Sequence, residues 1–181
     1  MTDAGTIRPV SRTVRRWHIS TMEIRRITTV AETREPYSYR ADPAVPPFAD
    51  DRPGIVFDGH CPFCSGWAGI VLRRDREGRF RLLRAQSPLG AALYRHYGLD
   101  PVDYETNILL DQGRVWLKSE GSIRMAEGLG LPWSLAAGFR TLPLRLRDAI
   151  YNFVARNRFR IAGCRAVCYA PPAEFRDRFI G

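Results

Sequence analysis

The chain is short of several things, and each shortage excludes something. Among 181 residues there is one lysine, Lys118, with three histidines and four cysteines. No apolar run approaches the roughly 20 residues that a membrane-spanning helix needs, so no membrane span is expected. The first residues lack the apolar core of a secretory leader. That points to a cytoplasmic, reducing setting, where a close cysteine pair is more often catalytic or metal-binding than structural. The basic residues come with neither zinc-finger spacing nor an aromatic RNA-binding signature, so nucleic acid is not an expected partner. There is no internal repeat.

What is present is a hydrophobic share of 45%, enough for a core, and a net charge of +9 carried almost entirely by arginine. Residues 140–181 hold nine arginines against Asp148, Glu174 and Asp177. This reads first as a solvated helical face and second as a basic surface for an acidic partner.

The most informative stretch is Asp58-Gly59-His60-Cys61-Pro62-Phe63-Cys64, directly after the apolar Ile55-Val56-Phe57. A strand that turns into a helix at Cys-x-x-Cys puts the first sulfur among unpaired N–H groups at the positive end of the helix. Such a position stabilises a thiolate, the nucleophilic form of cysteine. The second sulfur follows one turn later, within reach of an internal disulfide. Pro62 suits the first helical position.

Cys61 is therefore the expected nucleophile and the more exposed thiol, and Cys64 the resolving thiol. Asp58 has two readings: a proton relay to Cys64 if burial raises its pKa, or a helix N-cap or turn residue. His60 either stabilises the thiolate or is an exposed loop histidine. Phe63 and Trp67 either shield the pair and dock a client or pack the helix. Cys164 and Cys168 form a second, later pair, read first as structural thiols. Joining all four cysteines in one zinc or iron–sulfur site is the alternative.

Hydropathy and turn residues give the rest of the layout. Residues 1–53 lack periodicity, contain Pro43-Ala44-Val45-Pro46-Pro47, and read as a disordered or loosely attached extension; translation starting at Met22 is another reading. From Gly54 the pattern predicts strand 55–57, helix 61–74, strand 80–83, helix 89–97, a hairpin around Asp111-Gln112-Gly113-Arg114, and helix 119–128. Beyond Pro132 the chain is predicted helical. Leu146, Ile150, Phe153 and Val154 form an apolar stripe, Arg147, Asp148, Asn152, Arg156 and Arg158 form a polar side, and the segment is expected to pack on the core or beside its active face. Ser119 is a candidate helix cap.

This order, strand-helix-strand-helix-strand-strand-helix with Cys-x-x-Cys after the first strand, is that of a thioredoxin-like α/β sandwich: a mixed four-stranded sheet flanked by helices, here with a helical C-terminal extension (132–181). The chain also resembles the DCC family of thiol-disulfide oxidoreductases, named for Asp-x-x-Cys-x-x-Cys, here Asp58, Cys61 and Cys64. Further matches are Arg73-Arg74-Asp75, Gln86-Ser87-Pro88, Trp133, Arg147-Asp148-Ala149-Ile150-Tyr151, Ala155-Arg156-Asn157-Arg158-Phe159, Gly163, Cys168 and Arg178-Phe179. The resemblance spans residues 54–181. It implies a thioredoxin-like fold and disulfide exchange with a protein or small-thiol substrate, with no organic cofactor and no bound metal. One departure from better-studied thioredoxin relatives is the stretch Tyr104-Glu105-Thr106-Asn107 before the third strand, which lacks their cis-proline. That departure raises the competing reading of a metal- or cluster-binding module at Cys61 and Cys64. A basic interaction module is the other alternative.

Overall fold

The computed structural model of the chain describes residues 33–163 and 168–180. Met22 and Cys164 lie outside the described residues. The strands are β1 (Gly54–Phe57), β2 (Arg81–Arg84), β3 (Ile108–Asp111) and β4 (Arg114–Leu117). The helices are α1 (Pro62–Arg74), α2 (Pro88–His96), α3 (Lys118–Gly128) and α4 (Leu144–Ala162). Short 3-10 stretches cover Ser38–Ala41, Trp133–Thr141 and Ala173–Arg178.

The strands form one sheet in the order β2-β1-β3-β4. β1 runs parallel to β2, pairing Gly54 with Arg81, and antiparallel to β3, pairing Ile55 with Leu109. β3 and β4 close a hairpin through Gln112 and Gly113, both at positive φ, the two-residue turn whose twist matches the strands.

Alternation along the strands sends residues to two cores. Val56, Leu83, Ile108, Leu110, Val115 and Leu117 pack with Leu89, Ala92 and Leu93 of α2. Ile55, Phe57, Leu82 and Leu109 pack with Ala68, Val71 and Leu72 of α1 and Met125 of α3. This is a thioredoxin-like sandwich with helices on both faces, and it puts the start of α1 just past the end of the inner strand β1.

Two expectations are corrected. The packed domain begins before Gly54. Tyr39 and Val45 are buried in the α2-side core and Phe48 packs against it. The Tyr39 hydroxyl and the Arg40 guanidinium both bond Asp50, and Asp42 bonds His96. An aromatic anchor of this kind is invisible to periodicity because it sits among prolines.

The second correction concerns α4: three of its four stripe residues face away from the core, while Val154 is half-buried. Leu146, Ile150 and Phe153 point outward, Phe153 with 68% of its surface exposed. Arg147, Asp148, Tyr151 and Arg158 point inward instead. Arg147 Nη1 donates to Glu120 Oε2 at 3.1 Å, and the Ser119 hydroxyl donates to Asp148. Ser119 is therefore a tie to α4 and not a helix cap; Leu117 occupies the N-cap of α3. The inner face is polar because it meets carboxylates and loop amides, a demand that outweighs the burial of three apolar side chains.

The C-terminal residues protect the open edge of the sheet. Ile180 N–H donates to Leu82 O at 2.9 Å, and Phe179 bridges Leu82 in parallel. The Arg178 guanidinium bonds the Asp75 carboxylate and the Phe80 carbonyl.

Candidate active site

The site grows from the junction of β1 and α1. Cys61 is the N-cap of α1, and its Sγ accepts the Cys64 N–H at 3.3 Å. Pro62 at the first helical position needs no partner for a missing donor. Ser65 Oγ donates to the Cys61 carbonyl at 2.9 Å and fixes the first turn. The two thiols are free and face one another across that turn.

The electrostatics separate them. The hydrogen bond from the Cys64 thiol, the Cys64 N–H and the Arg158 cation pull the Cys61 pKa down to about 6, against burial and the Asp58 charge. The same hydrogen bond, seen from the donor, together with burial pushes Cys64 well up. One sulfur is thus prepared to hold charge and the other to hold the proton.

Exposure runs opposite to the sequence expectation. Cys61 has 0% of its surface exposed and Cys64 7%. Cys64, not Cys61, lines the adjoining cavity. The cap position that charges Cys61 goes with a buried side chain, and the C-terminal segment is seated on the turn before it. Tyr169 N–H donates to Gly59 O at 2.9 Å.

Asp58 is buried, and its carboxylate is fully engaged. Oδ1 accepts His60 N–H at 2.9 Å and Gln86 Nε2 at 2.7 Å, and Oδ2 lies 3.5 Å from Arg158 Nη2. The bond to the residue two positions on is an Asx turn, so Asp58 holds the loop before Cys61. Of its expected structural roles the turn is observed; the cap is Cys61 itself. His60 is half-buried in that turn, held through its backbone N–H.

Arg158, placed by the sequence on the polar side of the C-terminal helix, is buried at 4% exposure. Its Nη2 also donates to Asp103 O at 2.7 Å. Its position on the polar side of a helix predicted to pack by its apolar side hid it. Gln86 went unassigned as well, although it bonds Asp58 and, through Oε1, Gly59 N–H at 3.1 Å.

Cys168 Sγ sits against Gly59, where an added Cβ would lie 2.4 Å away; Gly59 is therefore required for the tail to seat. Among the described residues no cluster of three or more His, Cys, Asp or Glu side chains is arranged to hold a metal.

The stretch before β3 reaches the same place without a proline. The Tyr94 hydroxyl donates to Thr106 O, Thr106 Oγ1 accepts Lys118 N–H at 3.0 Å, and the Tyr151 hydroxyl accepts Asn107 N–H at 3.2 Å. Side-chain hydroxyls thus fix the backbone there. The Leu131–Pro132 bond is cis and lies after α3.

Beside Cys64 opens a cavity of about 650 Å³. Its walls are mostly apolar and come from α1, α3, α4 and the 3-10 stretch that begins at Trp133. Trp67 meets Trp133 edge-to-face at 5.7 Å. Phe63, expected to shield or pack, stands exposed on the cavity lining.

With this geometry in view, the comparisons with known proteins are specific. The family model described as DCC1-like thiol-disulfide oxidoreductase matches residues 55–164. The uncharacterized protein YuxK of Bacillus subtilis is 30% identical over 126 residues, 70% of this chain and 92% of that protein. A chloroplastic DCC family protein of Arabidopsis thaliana is 33% identical over 120 residues, 66% of this chain and 70% of that one. No solved structure matches the chain significantly.

Proposed function

The chain belongs to the DCC1-like thiol-disulfide oxidoreductase family, and from that premise we propose that Cys61 and Cys64 exchange a dithiol for a client disulfide. The observation that carries this reading is the pairing itself: a buried Sγ at a helix N-cap, bonded by the N–H and the thiol of its partner one turn on. Burial alone would have raised both pKa values; here they are driven apart.

In the reductive direction the Cys61 thiolate attacks one client sulfur. A Cys61–client disulfide forms, and the other client sulfur leaves as a thiolate that takes up a proton. Cys64 then loses its proton to solvent, attacks Cys61 Sγ and displaces the second client thiol. The enzyme ends as a disulfide and the client as a dithiol, two electrons having moved. The reverse sequence oxidises a client. Cys61 has no exposed surface, so exchange requires the Gly59–His60 turn, or the Cys168–Tyr169 segment on it, to give way. Asp58 and Arg158 hold that turn, with His60 N–H as its closing bond. The setting that suits a reducing member is the cytoplasm. Among the described residues no helix is long and apolar enough to cross a membrane.

Trapping tests the assignment. Reduced Cys64→Ser protein mixed with a disulfide-bonded peptide should retain a covalent adduct on Cys61, resolved by dithiothreitol and located by mass spectrometry. Cys61→Ser should retain none. An adduct on Cys64 in Cys61→Ser, with none in Cys64→Ser, reverses the roles and sinks this reading. Thiols that react with nothing until a chelator is added favour a metal-binding module instead.

A further inference from the structure

The cavity beside Cys64 distinguishes between the two client classes that the sequence leaves open. Its lining is dominated by Trp67, Ile70, Ile123, Trp133, Phe139 and Val154. The charges narrow the choice. Arg158 carries the cationic group on this lining, and its charge is already matched by Asp58. Glu105, on the same wall, is acidic. A small anionic thiol such as glutathione would bring carboxylates to a place with no free cation and one carboxyl group.

Resting on the thiol-exchange reading above, we propose that this cavity is the client subsite, and that the client is a peptide segment of a protein whose disulfide cysteine is flanked by a large apolar residue. The apolar side chain fills the space between α1, α3 and α4. The client's disulfide lies at the Cys64 end of the cavity, one helical turn from Cys61 Sγ, which attacks it once the Gly59–His60 turn gives way. A peptide side chain brings apolar area to this lining without the carboxylates of a small anionic thiol. The volume admits two or three side chains, within the range of sites that bury small ligands.

The test uses the full chain and three disulfide substrates: a peptide with leucine or phenylalanine beside its cystine, the same peptide with serine or aspartate there, and glutathione disulfide. Burying one large apolar side chain gives about 1.5–3 kcal/mol, and 1.4 kcal/mol is tenfold. The apolar peptide should therefore show kcat/KM roughly 10–100-fold above the polar one, and more above glutathione disulfide. Equal rates, or a preference for glutathione disulfide, overturn the proposal.

A second measurement separates its failure from that of the exchange reading. The same apolar peptide with serine for cysteine should quench or shift the fluorescence of Trp67 and Trp133 on binding, and Ala126→Phe, which fills the cavity, should weaken that binding at least tenfold. If no disulfide is turned over but the fluorescence titration saturates and is lost in Ala126→Phe, the exchange reading fails and the subsite stands. If disulfides are turned over but no peptide binds, the subsite fails alone.

Discussion

Replacing Arg158 by methionine leaves the buried Asp58 carboxylate with only neutral donors. The side chain lost is of similar length, so the change tests charge more than shape. Arg158 Nη2 and Asp58 Oδ2 are 3.5 Å apart, and each side chain is nearly inaccessible. At an effective dielectric constant near 20, unit charges at that separation attract by about 5 kcal/mol. Part of this is offset by the cost of burying both groups. Removing one partner of such a pair typically destabilises by about 3–5 kcal/mol, because the other charge stays buried. Arg158 also satisfies Asp103 O and Ala155 O, which pushes the expected loss toward the upper end. The assay is urea unfolding of the reduced protein, with the midpoint shift converted through a common slope. Asp58→Asn in the Arg158→Met background should recover at least about 2 kcal/mol, since the stranded charge is gone. Arg158→Lys should fold and lose less, and it provides a readout if the methionine variant does not fold. A loss under about 1 kcal/mol for Arg158→Met, the scale of an exposed pair, would refute the reasoning.

Three further outcomes are expected. Gly59→Ala should destabilise by about 1–3 kcal/mol through the clash with Cys168 Sγ, with Cys168→Ala restoring most of it; a neutral Gly59→Ala means the tail does not sit there. Phe153→Lys and Ile150→Lys should each change stability by no more than about 0.5 kcal/mol in thermal melts, because both face outward; losses of core size would return α4 to its predicted orientation. The reduced protein should gain stability as pH rises from about 6 to about 8.5. Across that window the unfolded chain still holds the Cys61 proton and the folded one has released it, so the slope is positive; Cys61→Ser should flatten it.

The sheet was legible because its signals are local. Ile55-Val56-Phe57, the Ser87-Pro88 helix start and the Gln112-Gly113 turn each carry their own instruction, and the elements appear within a residue or so of their predicted bounds. The order of those elements was enough for the fold. The candidate site was legible in its thiol pair, Cys61 and Cys64 on one turn, and in Asp58 as the turn residue before it. What periodicity misreads is α4. Its apolar stripe is real, but which face turns inward is decided by Glu120, Ser119, Asp58 and Asn107, residues distant in sequence that need polar partners. The burial of Arg158 follows from that inversion, and so does its service to Asp58. The exposure of the two thiols was misjudged for a related reason. A helix cap predicts charge on Cys61, yet its side chain is buried, and the turn before it carries Cys168 and Tyr169, more than a hundred residues on. Tyr39 belongs to the same class, an anchor whose contacts are all tertiary.

The absorbance of thiolate near 240 nm, followed from pH 4 to 10 in the reduced protein, tests the separated thiol pair most directly, because it needs no reagent to reach a buried sulfur. A first transition centred near 6, abolished by Cys61→Ser, is the predicted result. A first transition at or above about 8.5, the value of an ordinary cysteine, or one that survives in Cys61→Ser, would contradict the account.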